Sequence, residues 1–564
     1  MSRAQPAAPS AAASGWEGPA HRGAASSGGS LAGTGILLRF MLRRDRIWLP
    51  AWVLGTTAML AYFASALGLV LDEESLTSFA LFAENPVMAL VGGPAYGFDD
   101  ITAARFLVGM YGAYLMIGAA LMSIMTVSRH TRVEEQSGRA ELVRAGVVGR
   151  HAPLAAALIL TTLMNLLTAG LMAAAFYASP ADPGSPGSSL LFGCGVGAVG
   201  FVFAGVAGVA AQLSPYSRAA SGIAGAVLAA SFAVRGLGDM SAVQGGELDW
   251  LSWFSPFGWS QQTAPLTLDR WWPLAISLAV TALLLIAGFA LQSRRDLAAG
   301  ILPDRLGSAA APGWLRSPFS LAFRLQRAGL AWWASALLAG GVVFGAFAQP
   351  MAENAAGMPA EILAVFGGSG GLIDGYLGFM GVYFAIIAAV CAILSVQGLR
   401  GEEQSARAEP VLAAAVSRSG WVLSWAAVSA LGSLCLLAAA GLGEGLGAAL
   451  STGDWGLLGP TLLGHVVHVP AVWSLLGLAL ALYGLAPRLT GLTWAVFAYG
   501  AVLSLFGDMM ELDDAVLGTS VFRHIGQYPA EDVSWAAVGL LAGIALLLAG
   551  IGAAGFRRRD LAGA

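Results

Sequence analysis

Residues 134–150 read EEQSGRAELVRAGVVGR, and residues 402–418 read EEQSARAEPVLAAAVSR. Eleven of the 17 positions are identical, and the second copy follows the first by 268 residues. Charge is scarce elsewhere. Only 11% of the 564 residues are charged and 57% are hydrophobic, with a mean hydropathy of +0.72. Soluble domains carry roughly 25% charged residues, so this is the composition of an integral membrane protein. A charged segment that recurs nearly intact in such a chain marks two copies of one larger unit.

Working outward from the repeat, the apolar runs can be counted. A helix needs about 20 apolar residues to cross the hydrocarbon core. Twelve runs qualify: 49–71, 107–127, 153–177, 190–213, 219–237, 272–291, 329–348, 375–396, 421–442, 461–486, 489–507 and 534–556. Arginine placement orients them. With both termini cytoplasmic, the inner connections hold 23 arginines and the outer ones four, Arg105, Arg235, Arg270 and Arg523, in the sense of the positive-inside rule. Each charged copy then joins the second and third spans of a six-span half on the cytoplasmic side.

Further correspondences keep nearly the same offset. VGGPAYGFDD (91–100) matches FGGSGGLIDG (366–375), aligning Asp99 with Asp374. Arg218 and Asp239 flank the fifth run as Arg488 and Asp508 flank the eleventh. SRRDLAAG (293–300) returns as RRRDLAGA (557–564). The expected fold class is an all-α polytopic membrane protein, twelve transmembrane helices in two parallel six-helix pseudo-repeats. A disordered Ala/Ser/Gly-rich cytoplasmic tail is expected at 1–36. The two six-span halves occupy 37–291 and 329–564, with a cytoplasmic linker at 292–328. LLRFMLRRDRIW (37–48) mixes apolar residues with arginines, as an interfacial helix would.

All 29 basic residues are arginine. A Walker A loop needs a lysine to reach nucleotide phosphates, so no standard ATP site is expected in this chain. A lysine Schiff base is excluded by the same count. The three cysteines, Cys194, Cys391 and Cys435, each lie in an apolar run and read as small buried residues.

Within the repeat, Glu135 and Arg139, like Glu403 and Arg407, stand four residues apart. On a continuous helix each pair shares one face. A solvated, self-paired helix explains one such segment. Two matched copies at equivalent topological positions fit a surface that docks on two copies of one partner. Glu134, Glu135, Arg139 and Glu141, with Glu402, Glu403, Arg407 and Glu409, are the candidate docking residues. Pro410 stands where the first copy has Leu142, and is expected to end or kink the second helix early.

The two E-E-x-S-x-R-x-E segments, the GGPAYG loop after the first span and, less specifically, the terminal R-R-D motif carry a family resemblance. Over about 37–564 the chain resembles the double-length permeases of ABC exporters of the polyketide-antibiotic (tetronasin-type) exporter family. The resemblance implies the type-2 exporter permease fold and two copies of a separate ATPase subunit, which binds ATP and Mg. It implies outward movement of hydrophobic or amphipathic compounds across a bacterial plasma membrane, with the docking segments as coupling helices. It assigns this chain no catalysis, cofactor, metal or nucleic-acid partner.

The resemblance also implies short helices that re-enter the membrane over the exit, between the fifth and sixth spans. There the chain reads WLSWFSPFGW (250–259), with Trp253, Phe254, Phe257 and Trp259 around Pro256. These five are the candidate external gate, although an aromatic belt at the headgroups is the plainer reading. The matching segment FRHIGQYPAED (522–532) is polar and charged, so one apolar lip and one wet lip are expected.

Two rival classes are weighed. An ion-coupled secondary transporter should carry charges in mid-span, whereas nearly every charge here sits at the end of a run. A membrane-embedded enzyme needs clustered His, Asp or Glu. The one hint is His465 and His468, followed by Pro470 in the tenth run, and interhelical hydrogen bonding suits that pair better than a metal. Glu444, just past the ninth run, either lines a polar exit or is simply wet. The small-residue stretches 193–208 and 441–447 read as close helix packing.

Overall fold

The computed structural model describes residues 29–70, 86–146, 148–302, 307–353, 371–507 and 512–561. In the first half, α1 (Thr34–Arg44) precedes the first span, α2 (Trp48–Val70), and a short α3 (Pro86–Val91) precedes the GGPAYG loop. Then come α4 (Gly112–His130), α5 (Arg132–Gln136), α6 (Arg139–Arg144), α7 (Ala152–Tyr177) and α8 (Pro186–Leu213). The half ends with α9 (Ser217–Val243), α10 (Pro256–Gln261) and α11 (Pro273–Ser293). The second half comprises α12 (Pro318–Gly345), α13 (Leu372–Gln404), α14 (Ala408–Ala413) and α15 (Arg418–Thr452). It closes with α16 (Leu458–Val466), α17 (Val469–Leu485), α18 (Leu492–Phe506) and α19 (Trp535–Arg558).

Twelve helices among the described residues are long and apolar enough to cross a membrane. Their burial repeats as the sequence does. The fourth and tenth are the most enclosed, each 78% buried over its apolar window, while the sixth and twelfth are 11% and 22% buried. Each half therefore wraps around its own fourth helix, and each has its own large core, one built from residues 60–257 and the other from 322–556. The last helix of each half faces outward, as a lipid-exposed apolar surface must.

Several boundaries differ from expectation, each for a local reason. The described chain is already helical at Thr34, inside the expected tail, and Ser30 and Ala32 accept backbone hydrogen bonds from His151 and Gly149. The seventh span starts at Pro318 rather than 329, because Ser317 and Ser320 form a capping box with proline at the first helical position. The ninth span runs to Thr452, so Glu444 lies inside it and is neither wet nor at an exit. Cys435 is exposed on that helix rather than buried. Asp508 and residues 366–370 of the repeat lie outside the described residues.

The two halves also enter the membrane differently. Between α1 and α2 the chain bends at Asp45, whose buried carboxylate lies 3.1 Å from Arg129 and 2.7 Å from His130 at the end of α4. In the second half α12 runs through the same stretch without a break.

Glycine sets a close helix contact in the second half. A Cβ on Gly345 of α12 would stand 2.0 Å from the Glu444 carbonyl of α15, and one on Gly447 would stand 2.2 Å from the Val342 carbonyl. Backbone cannot yield as a flexible side chain can, so α12 and α15 pack at a distance that glycine alone permits. Gly345→Ala is expected to destabilise the purified protein by about 1–3 kcal/mol, read as a lower unfolding midpoint. Gly329→Ala on the same helix, where nothing lies within 4 Å, should leave it unchanged. Equal midpoints for the two variants would contradict this packing.

Candidate functional site

The repeated charged segments form two turns at the arginine-rich end of the molecule. Each is a helix broken in the middle. After α5 the chain passes Ser137 and enters the left-handed region at Gly138 (φ 75°) before α6. After α13 it passes Ser405 and does the same at Ala406 (φ 56°) before α14. Glycine takes that conformation freely and alanine at a cost of about 1–2 kcal/mol. The second turn holds the same shape without the glycine.

This break reverses the expected pairing. On a continuous helix Glu135 would meet Arg139. Instead Arg139 hydrogen-bonds Glu134 at 3.0 and 3.1 Å, and Arg407 hydrogen-bonds Glu402 at 2.9 Å through each of two nitrogens. These hydrogen bonds hold both arginine pKa values above the ordinary one. Arg44 of α1 also reaches Glu134, at 2.6 Å. Pro410 does not end its helix either. It lies in the first turn of α14, where its missing N–H would have no helical partner.

The second glutamate of each segment turns inward. Glu135 accepts from Arg295 at 2.7 and 3.0 Å and from Arg132 at 2.9 Å. Arg132 also donates to the Ala211 and Ala299 carbonyls, and Arg295 to Gln212 at 2.7 Å. Glu403 accepts from Arg559 at 2.6 and 2.7 Å and from the Tyr483 hydroxyl at 2.7 Å. Burial works against the charge on Arg559, yet the hydrogen bonds and charge of Glu403, with the contact to Tyr483, together raise its pKa. Arg295 and Arg559 belong to the two R-R-D motifs. Each motif thus latches the end of the last helix of its half, α11 or α19, to the turn between the second and third spans. Glu135 and Glu403 are spent inside the molecule and do not present a docking surface.

What the turns expose is different. Arg139 and Arg407 have more than half of their side chains accessible. Glu141, Glu409 and Pro410 are exposed, and Leu142 is 78% exposed. The outward face of each turn therefore carries a guanidinium, a carboxylate and an apolar residue.

The five candidate gate residues lie at the opposite, arginine-poor end. The chain breaks at Ser255 and Pro256, with a 3-10 turn over Asp249–Phe254 before it and α10 after it. The residues do not form one open lip. Phe254 is exposed and packs edge-on against Trp250, whereas Phe257 is fully buried between Phe203 and Phe232. Trp259 is buried and donates to the Trp253 carbonyl at 2.5 Å. Proline at the start of α10 aims the next residue, Phe257, into the core. In the second half Phe522 is likewise buried, while His524, Glu531 and Asp532 are exposed.

The GGPAYG loop is stitched to this segment. Gln261 donates to the Gly92 carbonyl at 2.6 Å, and Tyr96 donates to Gln262 at 2.5 Å. Burial raises the Tyr96 pKa. Arg235, wholly buried in α9, donates to the Leu90 and Val91 carbonyls at 3.1 Å and lies 3.3 Å from Asp239. It caps the open end of α3 with a positive charge, where a helix C-terminus favours one. His465 and His468 lie buried at the junction of α16 and α17, with Glu444 against His465. Charges therefore do occur inside spans, contrary to the reading that placed nearly all at span ends. Among the described residues no group of three or more His, Cys, Asp or Glu is arranged to hold a metal ion.

Removing one partner of a buried ion pair leaves an uncompensated charge and costs about 3–5 kcal/mol. Glu403→Ala and Arg559→Ala are each expected to lower the unfolding midpoint sharply. The double variant should cost less than the two singles together, with a coupling of about 0.5–3 kcal/mol. Strict additivity would mean that the latch does not exist in the folded protein.

The family model for the multidrug efflux system permease Rv1217c, C-terminal domain, matches residues 37–291 and 315–557. The chain is similar to the multidrug efflux system permease protein Rv1217c of Mycobacterium tuberculosis (strain ATCC 25618 / H37Rv). The two are 36% identical over 549 residues, covering 96% of this chain and 98% of the relative. A double-length, twelve-helix chain that matches so fully belongs to the family of multidrug efflux system permeases represented by Rv1217c.

Proposed function

We propose that this chain is the permease subunit of an ATP-driven exporter that moves hydrophobic or amphipathic compounds out of the cell. The observation that carries this reading is the pair of arginine-rich turns. Each presents an arginine, a carboxylate and an apolar residue outward, and each is fastened by an inward-turned glutamate to the last helix of its half. Two such surfaces on one chain suit two copies of a separate ATPase subunit, which supplies the nucleotide site. A chain without lysine has no Walker A loop of its own. The arginine distribution favours both termini, and both turns, on the cytoplasmic side. Within the efflux permeases, the E-E-x-S-x-R-x-E segments suit the polyketide-antibiotic (tetronasin-type) exporters, for which the cargo is an apolar drug. The relative's name, a multidrug efflux system permease, agrees with such cargo.

Docking on the outward faces makes a specific distinction. Changing Arg139, Glu141 and Leu142 to Ala, together with Arg407 and Glu409, is expected to abolish co-purification of the ATPase and drug export while leaving the unfolding midpoint of the permease unchanged. A variant that keeps both full co-purification and full export would refute docking at these turns. Orientation is tested separately. With the three native cysteines removed, Ser137→Cys and Ser405→Cys should resist an impermeant thiol reagent in intact cells and react in inverted vesicles. Labelling of either site from outside would overturn the topology.

A further inference from the structure

One cluster of ionisable groups lies far from the turns and has no part in docking. Glu444 of α15 and His465 and His468, at the junction of α16 and α17, all have no accessible surface. Glu444 Oε2 lies 2.8 Å from His465 Nε2, although the approach is bent away from the ideal hydrogen-bond direction. His465 Nδ1 lies 2.9 Å from the Thr461 carbonyl, and His468 Nδ1 lies 2.7 Å from the Gly464 carbonyl. A carbonyl only accepts, so both Nδ1 atoms carry hydrogen. That fixes the tautomers. Nε2 of a neutral His465 then presents a lone pair to a carboxylate oxygen at 2.8 Å, and two lone pairs repel at that distance. A proton must lie between them, as a carboxylic acid donating to imidazole or as imidazolium donating to carboxylate.

The surroundings keep this proton where it is. From α12 the backbone of Gly341 and Gly345 packs against the Glu444 backbone. From α13 come the Phe384 ring, 5.5 Å from His465, and Tyr376, whose hydroxyl donates to the Phe344 carbonyl. The backbone of Tyr528 approaches Gly464 from the segment before α19. The titratable groups that face Glu444 are thus His465 and Tyr376, and His468 faces His465. His468 Nε2 is buried without a hydrogen-bond partner.

Two features argue against a merely structural contact. First, the repeat offset places Phe176 where Glu444 stands, and Phe176 packs on Phe192 with centroids 5.3 Å apart. An apolar pair therefore fills this place in the first half, and the second half carries an ion pair that packing did not require. Second, the tenth span is broken at the histidines. The His468 N–H bonds to the His465 carbonyl, one residue short of the α-helical partner, and the His468 ring takes the Gly464 carbonyl. Ionisable groups inside a membrane span beside a helix break are the usual setting of an ion site.

We propose that Glu444 and His465 form a proton-binding site in the second half. The pair holds one proton while α15 and α16 are packed together and gives it up when they part. On separation the proton leaves Oε2 or Nε2 for His468 Nε2 or for water, leaving a hydrated carboxylate and neutral His465. Export is then linked to pH through this pair in the second half. This rests on reading the chain as a permease that moves, not on which partner drives it.

The test uses the full chain in liposomes with 15N-labelled histidine, and export in inverted vesicles across the pH range around neutrality. Glu444→Gln keeps a donor for His465 Nε2 but removes the titrating carboxyl. In the wild type the His465 Nε2 signal should show a proton shared with a carboxyl, and the glutamine variant should lose that signature. Wild-type export should show a limb approaching tenfold per pH unit, as one-proton linkage allows, and Glu444→Gln should flatten it. A wild-type pH profile retained in Glu444→Gln would overturn the proposal. So would an unprotonated, unpaired His465 Nε2 in the wild type, even if the variant proved inactive. If both chains export nothing at any pH, the permease reading fails, while the histidine spectrum still decides the site.

Discussion

Two inward-turned glutamates bear the organisation of this molecule at its arginine-rich end. A carboxylate withdrawn from water is costly unless its charge and lone pairs are met nearby. Glu135 is met by Arg132 and Arg295, and Glu403 by Arg559 and Tyr483. Each forked arginine contact is bidentate, which fixes direction as well as distance. The turn between the second and third spans therefore cannot rotate freely against the last helix of its half. The first glutamate of each segment is left near the surface with the exposed arginine. One dipeptide, Glu-Glu, supplies both an internal fastener and an outward charge, because a left-handed residue three positions after the second glutamate turns the chain and brings the following arginine back to the first.

Duplication fixed this arrangement twice and left the rest free to diverge. In the first half, the opposite end is closed by aromatic packing around Phe257 and by Arg235 on the end of α3. The interior position at Phe176 is apolar. In the second half, the corresponding interior position holds Glu444 with His465, and the segment before α19 exposes His524, Glu531 and Asp532. The entry to the membrane differs as well, through a bend at Asp45 in one half and an unbroken α12 in the other.

The spans and the two-fold repeat were legible because both follow from strong constraints. A bilayer demands long apolar runs, arginine sorts by side, and a 268-residue echo needs no geometry to detect. The inward or outward choice at Glu134 and Glu135 was not legible. The i, i+4 rule presumes a continuous helix, and the deciding residue in the second copy, Ala406, gives no sign of its left-handed backbone. The latch was half legible. The R-R-D motifs recurred at nearly the same offset as the E-E segments, which hinted at a shared role, but their contact is made in three dimensions. Glu444 was misplaced because hydropathy ended its span where charge began, whereas glycine packing carries α15 ten residues further. Phe254 and Phe257 read alike in sequence, and only the break at Pro256 separates the exposed ring from the buried one.

The last helix of each half connects these observations. The α11 helix begins beside Trp272, which stacks on Trp253 of the arginine-poor segment with centroids 5.3 Å apart, and ends beside Arg295 in the first latch. The α19 helix begins after the segment whose Tyr528 backbone abuts Gly464, next to His465, and ends beside Arg559 in the second latch. At 1.5 Å per residue, each is a rod of roughly 30–36 Å, long enough to join the two ends of the molecule. A helix is stiff along its axis, so each latch ties its turn to one end of a rod whose other end lies at the far side of the molecule. The same rod and the same fastener thus meet different surroundings at the far end, an aromatic cluster in one half and the wall of the histidines in the other.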